Sequence, residues 1–281
     1  MAVLLFPNRR KDAELAVTRQ IAALLRGFDI AVFAPQDFAA ELRGAPIECA
    51  PFEDVIQKAD QVLTIGGDGT LLQAGKFCVT YGKPVLGINL GRTGFLATCE
   101  VSQLSEKLEK LAKGAFTLTP RSLLSAYNPT QAWRQLAIND VSLFGASRLH
   151  PMDYMVYCDD VFVSSYRSDG IIAATPTGST AYSLSAGGPI LDAAMPAILI
   201  TPVCAHGIQA KPLVFAPTRR ITIVAPKDNR DDIFASADGQ KQCTLAPGQT
   251  LELTTAPQCL DLITFDSAEQ FRAIENKLTR R

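Results

Sequence analysis

The sequence predicts an α/β domain followed by a β-rich domain. Three observations carry this expectation. Up to about residue 115, short apolar runs alternate with helical patterns, the signature of a parallel sheet. From about Phe116, strand-like runs follow one another with few helical signals. The chain then closes on an amphipathic helical pattern at Ser267–Leu278, with Phe271, Ile274 and Leu278 on one side.

In the first part, Val3–Phe6 is a short apolar run, and Lys11–Arg26 follows with Leu15, Ile21, Leu24 and Leu25 roughly on one helical face. Ile30–Phe33 is a second strand candidate, ended by Pro35. Gln61–Ile65 is a third and Pro84–Leu90 a fourth. Leu104, Leu108 and Leu111 mark a helix that stops at Gly114. In the second part, Gln135–Phe144, Tyr154–Tyr157, Val161–Tyr166, Ile221–Val224 and Leu251–Thr254 read as strands, with a hairpin turn at Cys158-Asp159-Asp160. Ser179–Ala186 is the main helical signal there. The domains are expected at 1–120 and 121–265, with 266–281 a helix returning to the first.

Composition bounds the function. The chain has 281 residues, 47% hydrophobic and 20% charged, enough apolar material for a sizeable core and against disorder. Its net charge of −1 gives no reason to expect nucleic acid or an anionic membrane as a main partner. Met1–Pro7 lacks the basic region of a signal peptide. The uncharged stretches Gly170–Leu191 and Ala193–Ala210 are long enough to raise a membrane span. The first is rich in Gly, Ser, Thr and Pro; the second holds two prolines, a histidine and a glutamine. Both therefore read as buried segments of a soluble fold, and the cysteine usage that follows fits a cytoplasmic chain. Seven scattered cysteines (Cys49, Cys78, Cys99, Cys158, Cys204, Cys243, Cys259), with no C-x-x-C pair, fit reduced thiols better than disulfides or zinc.

The sharpest local signal is Gly66-Gly67-Asp68-Gly69-Thr70, after one apolar run and before a helix. Ligands of open α/β sheets bind at the carboxyl ends of strands. Glycines there let backbone N–H groups reach phosphate oxygens, and the helix start adds a positive dipole end. Asp68 would repel a phosphate, but it can take the proton of a hydroxyl that attacks a phosphoryl group. Capping of the helix is the other reading of Asp68. No P-loop and no G-x-G-x-x-G after a strand occurs.

The second signal runs from Arg167-Ser168-Asp169-Gly170 through Thr175-Pro176-Thr177-Gly178-Ser179-Thr180 to Gly188-Pro189. Such a dense set of hydroxyls and small residues can present donors and acceptors to a polar ligand. Tyr182 either stacks on a base or fills the core. The third signal is Asn139-Asp140 inside a strand-like run, costly there unless partnered.

Together these segments resemble the NAD kinase family, bacterial type. The likeness also covers Gly87–Leu96, Ile200–His206 and Ala237-Asp238-Gly239-Gln240. Gly-Gly-Asp-Gly-Thr is shared with lipid kinases and phosphofructokinases, whereas Ser168–Ile190 is far more specific. The resemblance implies a Rossmann-like α/β domain and a β-sandwich-like domain, with the active site in the cleft between them. It implies transfer of the γ-phosphoryl of ATP to the 2′-hydroxyl of NAD's adenosine ribose. Asp68 would accept the hydroxyl proton, and Gly66, Gly67, Gly69 and Thr70 would face the donor phosphates. Gly69, Asn139, Asp140, His150, Arg167, Asp169 and Gln240 would contact NAD. So would Thr180, Ala181, Tyr182, Ser183, Leu184 and Ser185, with Tyr182 near the adenine. Mg²⁺ is expected with ATP, its ligands unassigned, and a homodimer or homotetramer is the implied assembly. The family usually has Asn-Glu at Asn139-Asp140, a leucine at Thr93 and Pro-His-Ser at Ala205-His206-Gly207; an arginine at Arg167 tends to accompany preference for NAD over NADH. A lipid or sugar kinase with the same glycine turn, and a dinucleotide sensor that has lost catalysis, are the competing readings.

Overall fold

Val3, Leu4 and Leu5 are completely buried, and the strand that carries them sits at the middle of a parallel sheet. The structure is a computed structural model that describes residues 1–91, 94–147, 150–207 and 210–278, with Lys241 and Leu278 as backbone only. Thr93 and the Leu278 side chain, named above, and Arg92 within Gly87–Leu96 lie outside the described residues.

Residues Met1–Pro120 and Leu260–Arg281 form one compact unit, and Arg121–Cys259 a second. The first unit runs β1 (Ala2–Pro7), α1 (Ala16–Arg26), β2 (Ala31–Pro35), β3 (Glu48–Ala50), α2 (Phe52–Lys58), β4 (Gln61–Gly66), α3 (Asp68–Tyr81), β5 (Val85–Asn89), β6 (Cys99–Glu100) and α4 (Leu104–Ala112). Its strands lie in the order β3-β2-β1-β4-β5, all parallel. This is the doubly wound order, whose direction of winding reverses between β1 and β4. Strands covered on both faces read as continuous apolar runs, as β4 and β5 do. Ile21, Ala22 and Leu25 of α1 pack with Leu104, Leu108 and Leu111 of α4 in the same cluster as β1, β4 and β5.

The helix expected from Lys11 starts later. The Asp12 carboxylate accepts the N–H groups of Val17 and Thr18 and the Thr18 hydroxyl, which fixes the start of α1. The residues between, Glu14 and Leu15, both have φ of 53°. Strand β3 and helix α2 carry no period long enough to read from sequence.

The second unit continues with β7 (Thr117–Asn128, which begins in the first unit), β8 (Trp133–Ala137), β9 (Asp140–Gly145), β10 (Met152–Cys158), β11 (Val161–Ser168), β12 (Gly170–Ala174), α5 (Tyr182–Ser185), β13 (Ile198–Val203), β14 (Leu213–Phe215), β15 (Ile221–Val224), β16 (Ile233–Ala237), β17 (Gln240–Leu245) and β18 (Thr250–Thr264). One antiparallel sheet has the order β14-β13-β12-β9-β16-β17; in the other, β11-β10-β15-β18 run antiparallel. Inward residues of both, among them Val141, Leu143, Tyr154, Val156, Ile171, Ile223 and Leu253, make one core, so the unit is a β-sandwich. The outer face of β12, with Ile172 and Ala174, is covered by a second cluster containing Leu191, Ala197 and Leu199.

Three sequence expectations need correction. Gln135–Phe144 is not one strand, because β8 ends at Ala137 and β9 begins at Asp140. Ser179–Ala186 is not one helix: a 3-10 turn at Gly178–Thr180 and the single turn of α5 are broken at Ala181. There Ser179 Oγ and Thr180 Oγ1 bond to the carbonyls of Pro176 and Thr177, which competes with a regular helix. Leu251–Thr254 is part of a 15-residue strand, β18.

The last helix, α6 (Glu269–Leu278), belongs to the first unit. It is anchored by a buried pair, Lys107 Nζ to Glu269 Oε1 at 3.0 Å, with Thr98 Oγ1 donating to Glu269 Oε2 at 2.8 Å.

Candidate active site

The glycine turn stands at the carboxyl end of β4, beside the end of β1, where an open sheet of this order offers its ligand crevice. Asn8 ties the two ends together: its N–H donates to the Ile65 carbonyl at 2.9 Å, and its Nδ2 to Thr70 Oγ1 at 3.0 Å. Gly66 is required for that contact, since a Cβ there would lie 2.3 Å from Thr70 Oγ1. Thr70 is thus buried and structural. A Cβ on Gly67 would come 2.9 Å from Lys11 Nζ. Gly69 is exposed with open space where its Cβ would be.

Asp68 is the first residue of α3 and the N-cap position belongs to Gly67, so Asp68 is not the capping residue. Its carboxylate turns instead to the chain after β5. Phe95 N donates to Oδ2 at 2.9 Å; Leu96 N and Ala97 N donate to Oδ1 at 3.0 and 2.9 Å. Lys277 Nζ of α6 stands 3.8 Å from Oδ2. Gly94 is the residue that permits this approach, because a Cβ there would fall 2.1 Å from Asp68 Oδ1. A carboxylate accepts about four hydrogen bonds. Among the described residues three N–H groups fix its plane, which leaves Oδ2 room for one more donor. With the side chain 29% exposed, that donor can come from solvent or from a substrate hydroxyl.

The second unit assembles a different constellation. The turn Asp238-Gly239 between β16 and β17 has φ of 51° and 67°, the hairpin geometry that tolerates Asp and Gly. From it the Asp238 carboxylate accepts the N–H groups of Ile138, Asn139 and Asp140 at 3.0, 2.8 and 3.3 Å. This pull separates β8 from β9. On the carbonyl side, Thr175 Oγ1 donates to Ile138 O at 2.7 Å and Thr175 N to Asn139 O at 2.9 Å. Gly178 lies flat on the same peptide; a Cβ there would sit 1.9 Å from Asn139 O. The backbone of residues 138–140 is therefore clamped from both sides, which sets the positions of Asn139 and Asp140. Asp140 is 7% exposed, and burial first, then the Asp238 charge, pushes its carboxyl up to about 7. The sequence reading missed Asp238; its Asp-Gly turn signal was the available clue.

The hydroxyl-rich segment starts at this end of the six-stranded sheet, where Ala174 pairs with Asp140, and folds back along it. Ser183 Oγ meets Thr201 Oγ1 at 2.8 Å, and Gly188 leaves space for that pair. Tyr182 is not core: it is 45% exposed and stacks on Phe144 at 5.7 Å between centroids. Phe144 pairs with Gly170, at the far end of β12 from Ala174. Four residues of strand separate the two ends, about 13 Å. Arg167 and Asp169 are exposed near Gly170, and Arg167 pairs with Asp153 at 3.4 Å. Thr180, Ala181 and Leu184 are part-buried, and Ser185 is exposed. Gln240 opens β17, its carbonyl accepting from Ser236 Oγ at 2.7 Å. His150 is exposed two residues before Met152, which pairs with Ser168. Among the described residues, no group of three or more His, Cys, Asp or Glu side chains is placed to hold a metal ion, and no helix is long and apolar enough to cross a membrane.

Comparison with known proteins agrees with both halves. The model of the ATP-NAD kinase N-terminal domain matches residues 4–116, and that of the C-terminal domain residues 138–265. The chain belongs to the NAD kinase family. An NAD kinase of Caldanaerobacter subterraneus is 32% identical over 278 residues, covering 98% of each chain. An NAD kinase of Syntrophotalea carbinolica is 34% identical over 265 residues, covering 93% of this chain and 92% of that one. Two solved structures share the fold. Yeast NADH kinase complexed with NADH superposes with a TM-score of 0.89 at 24% identity, over 100% of this chain and 88% of that one. An NAD kinase from Archaeoglobus fulgidus in complex with ATP gives 0.74 at 23% identity, over 98% of both. NAD kinases are ATP-dependent kinases, and the fold described above is theirs.

Proposed function

We propose that this NAD kinase transfers the γ-phosphoryl of ATP to the 2′-hydroxyl of the adenosine ribose of NAD, with Asp68 as the general base. The hydroxyl oxygen attacks the γ-phosphorus, its proton passes to Asp68 Oδ2, and the bond between that phosphorus and the β–γ bridging oxygen breaks to release ADP. The observation that carries this reading is the Asp68 carboxylate, held by three N–H groups and, among the described residues, with one oxygen site to spare. A base so fixed needs no reorganisation as the proton moves.

In the second unit, Asn139 and Asp140 serve one nucleoside of NAD. Thr180–Ser185 cradle the dinucleotide with the exposed Tyr182 ring near the adenine, and Arg167, Asp169, His150 and Gln240 make its further polar contacts. Two recognition points about 13 Å apart along β12 suit a ligand with two nucleoside halves. Arg167 is read as favouring NAD over NADH. Mg²⁺ is expected to travel on the donor's own phosphate oxygens. No protein ligand is assigned to it, and no step here runs through it. The enzyme is read as cytoplasmic and as a homodimer or homotetramer; Val161, Phe162 and Val163 are exposed on β11, at the end of its sheet's strand order, as an assembling edge would be.

Asp68→Asn tests the base. It preserves shape and removes the proton acceptor, so turnover should fall about 10²–10⁴-fold with NAD affinity retained. Near-wild-type turnover in Asp68→Asn would refute the assignment, and wild-type protein that binds NAD without making NADP would favour the sensor.

A further inference from the structure

The donor phosphates need cations, and the P-loop lysine that supplies one in other kinases has no counterpart here. Two lysines far apart in sequence stand at the glycine turn. Lys11 follows β1, and its Nζ lies 2.9 Å from the position a Cβ on Gly67 would take. Lys277 sits in the last turn of α6, its Nζ 3.8 Å from Asp68 Oδ2 and 4.0 Å above the Phe95 ring. Gly67 and Asp68 are consecutive, so their Cα atoms are about 3.8 Å apart.

We propose that Lys11 and Lys277 form the donor-phosphate site of this enzyme, Lys11 holding the triphosphate and Lys277 neutralising the γ-phosphoryl as it moves. This deepens the reading above and rests on it. Phosphoryl transfer spreads negative charge over the equatorial oxygens of the moving group, and fixed cations beside that position stabilise it. Each ammonium is placed for the task. Lys11 is exposed and stands over backbone with no side chain between, which the glycine ensures. The buried Glu269–Lys107 pair fixes the start of α6, and the Phe95 face steadies Lys277 at its end.

Room for the rest of the donor lies next to Lys11. A cavity of about 560 Å³ opens there, walled by Lys11, Ala13, Ala16, Val17, Asn89 and Gly91. Pockets of roughly 300–1,000 Å³ with apolar walls and a few polar groups hold ligands of nucleotide size. Two carboxylates reach the same wall, and both are engaged. Asp12 faces the start of α1 with both oxygens, and Glu100 caps the 3-10 turn Val101–Gln103. The segment between Lys11 and α1 holds two consecutive non-glycine residues at φ 53°, the kind of backbone strain that persists where a ligand loop needs a set shape.

Steady-state kinetics with varied ATP and NAD test this on Lys11→Met, Lys277→Met and the arginine variants. Losing one charged contact corresponds to about 10- to 100-fold. Lys11→Met should raise KM for ATP by that factor while KM for NAD stays within twofold, and Lys277→Met should lower kcat by that factor. Arginine at either position should restore at least part of the loss. The proposal is overturned if both methionine variants keep KM for ATP and kcat within twofold of wild type, or if KM for NAD rises as much as KM for ATP. Equilibrium binding of ATP to the Asp68→Asn protein separates the two readings. Weaker ATP binding on adding Lys11→Met to that background supports the lysine site even if Asp68 proves not to be the base.

Discussion

Asp140 should make the second unit less stable as pH rises from about 4 towards 7, and Asp140→Asn should abolish that dependence. Its carboxyl is nearly buried beneath the Asp238 turn and is pushed from its usual 3.8 to about 7, by burial first and by the Asp238 charge second. Between those values the folded chain keeps a proton that the unfolded chain has lost. Stability therefore falls as pH rises across this window and levels off above about 7. At 1.36 kcal/mol per pH unit the whole window corresponds to about 4 kcal/mol, about 3 kcal/mol of it above pH 5. Asparagine keeps the shape and does not titrate, so subtracting its curve from that of wild type cancels the groups that do not interact with Asp140. The assay is urea unfolding at pH 5 and pH 8. It is followed by the fluorescence of Trp133, the single tryptophan, which packs on the core of the second unit. Relative to wild type, Asp140→Asn should gain about 3 kcal/mol on going from pH 5 to pH 8. Parallel curves at the two pH values would show that Asp140 is ionised throughout and that the burial argument fails.

Two further outcomes follow from the packing. Gly178→Ala places a methyl 1.9 Å from Asn139 O, backbone against backbone, so it should cost about 3 kcal/mol or more and raise KM for NAD together; the same urea series and a KM measurement read both. Lys107→Met leaves the Glu269 carboxylate buried without its cation and should cost about 3–5 kcal/mol, whereas adding Glu269→Leu should recover much of it, as calorimetry of the three proteins would register.

The glycine turn was legible because its chemistry is local. A strand end, a helix start and the residues between them are contiguous, and glycine at 66 lets Thr70 come so close. The strand pattern of the first unit was legible for a similar reason, since buried parallel strands are apolar throughout. Asn139-Asp140 drew notice as a misplaced polar pair, but what holds its backbone out of a continuous strand lies about a hundred residues away in the Asp238 carboxylate. The same holds for Tyr182. Its sequence context left core and ligand readings open, and its place depends on Phe144, which arrives from another strand. Lys11 and Lys277 gave no signal, because an exposed lysine is ordinary until a backbone turn is seen beside it.

By itself the sequence determined the two-part architecture and the family, and it singled out the carboxylate proposed as the base, because periodicity and short motifs are written in consecutive residues. Tertiary structure alone decided where that carboxylate points, which N–H groups hold it, and which cations stand at its turn. Those contacts join positions 68, 95–97 and 277, whose neighbourhood exists only once the sheet is wound and the last helix has docked.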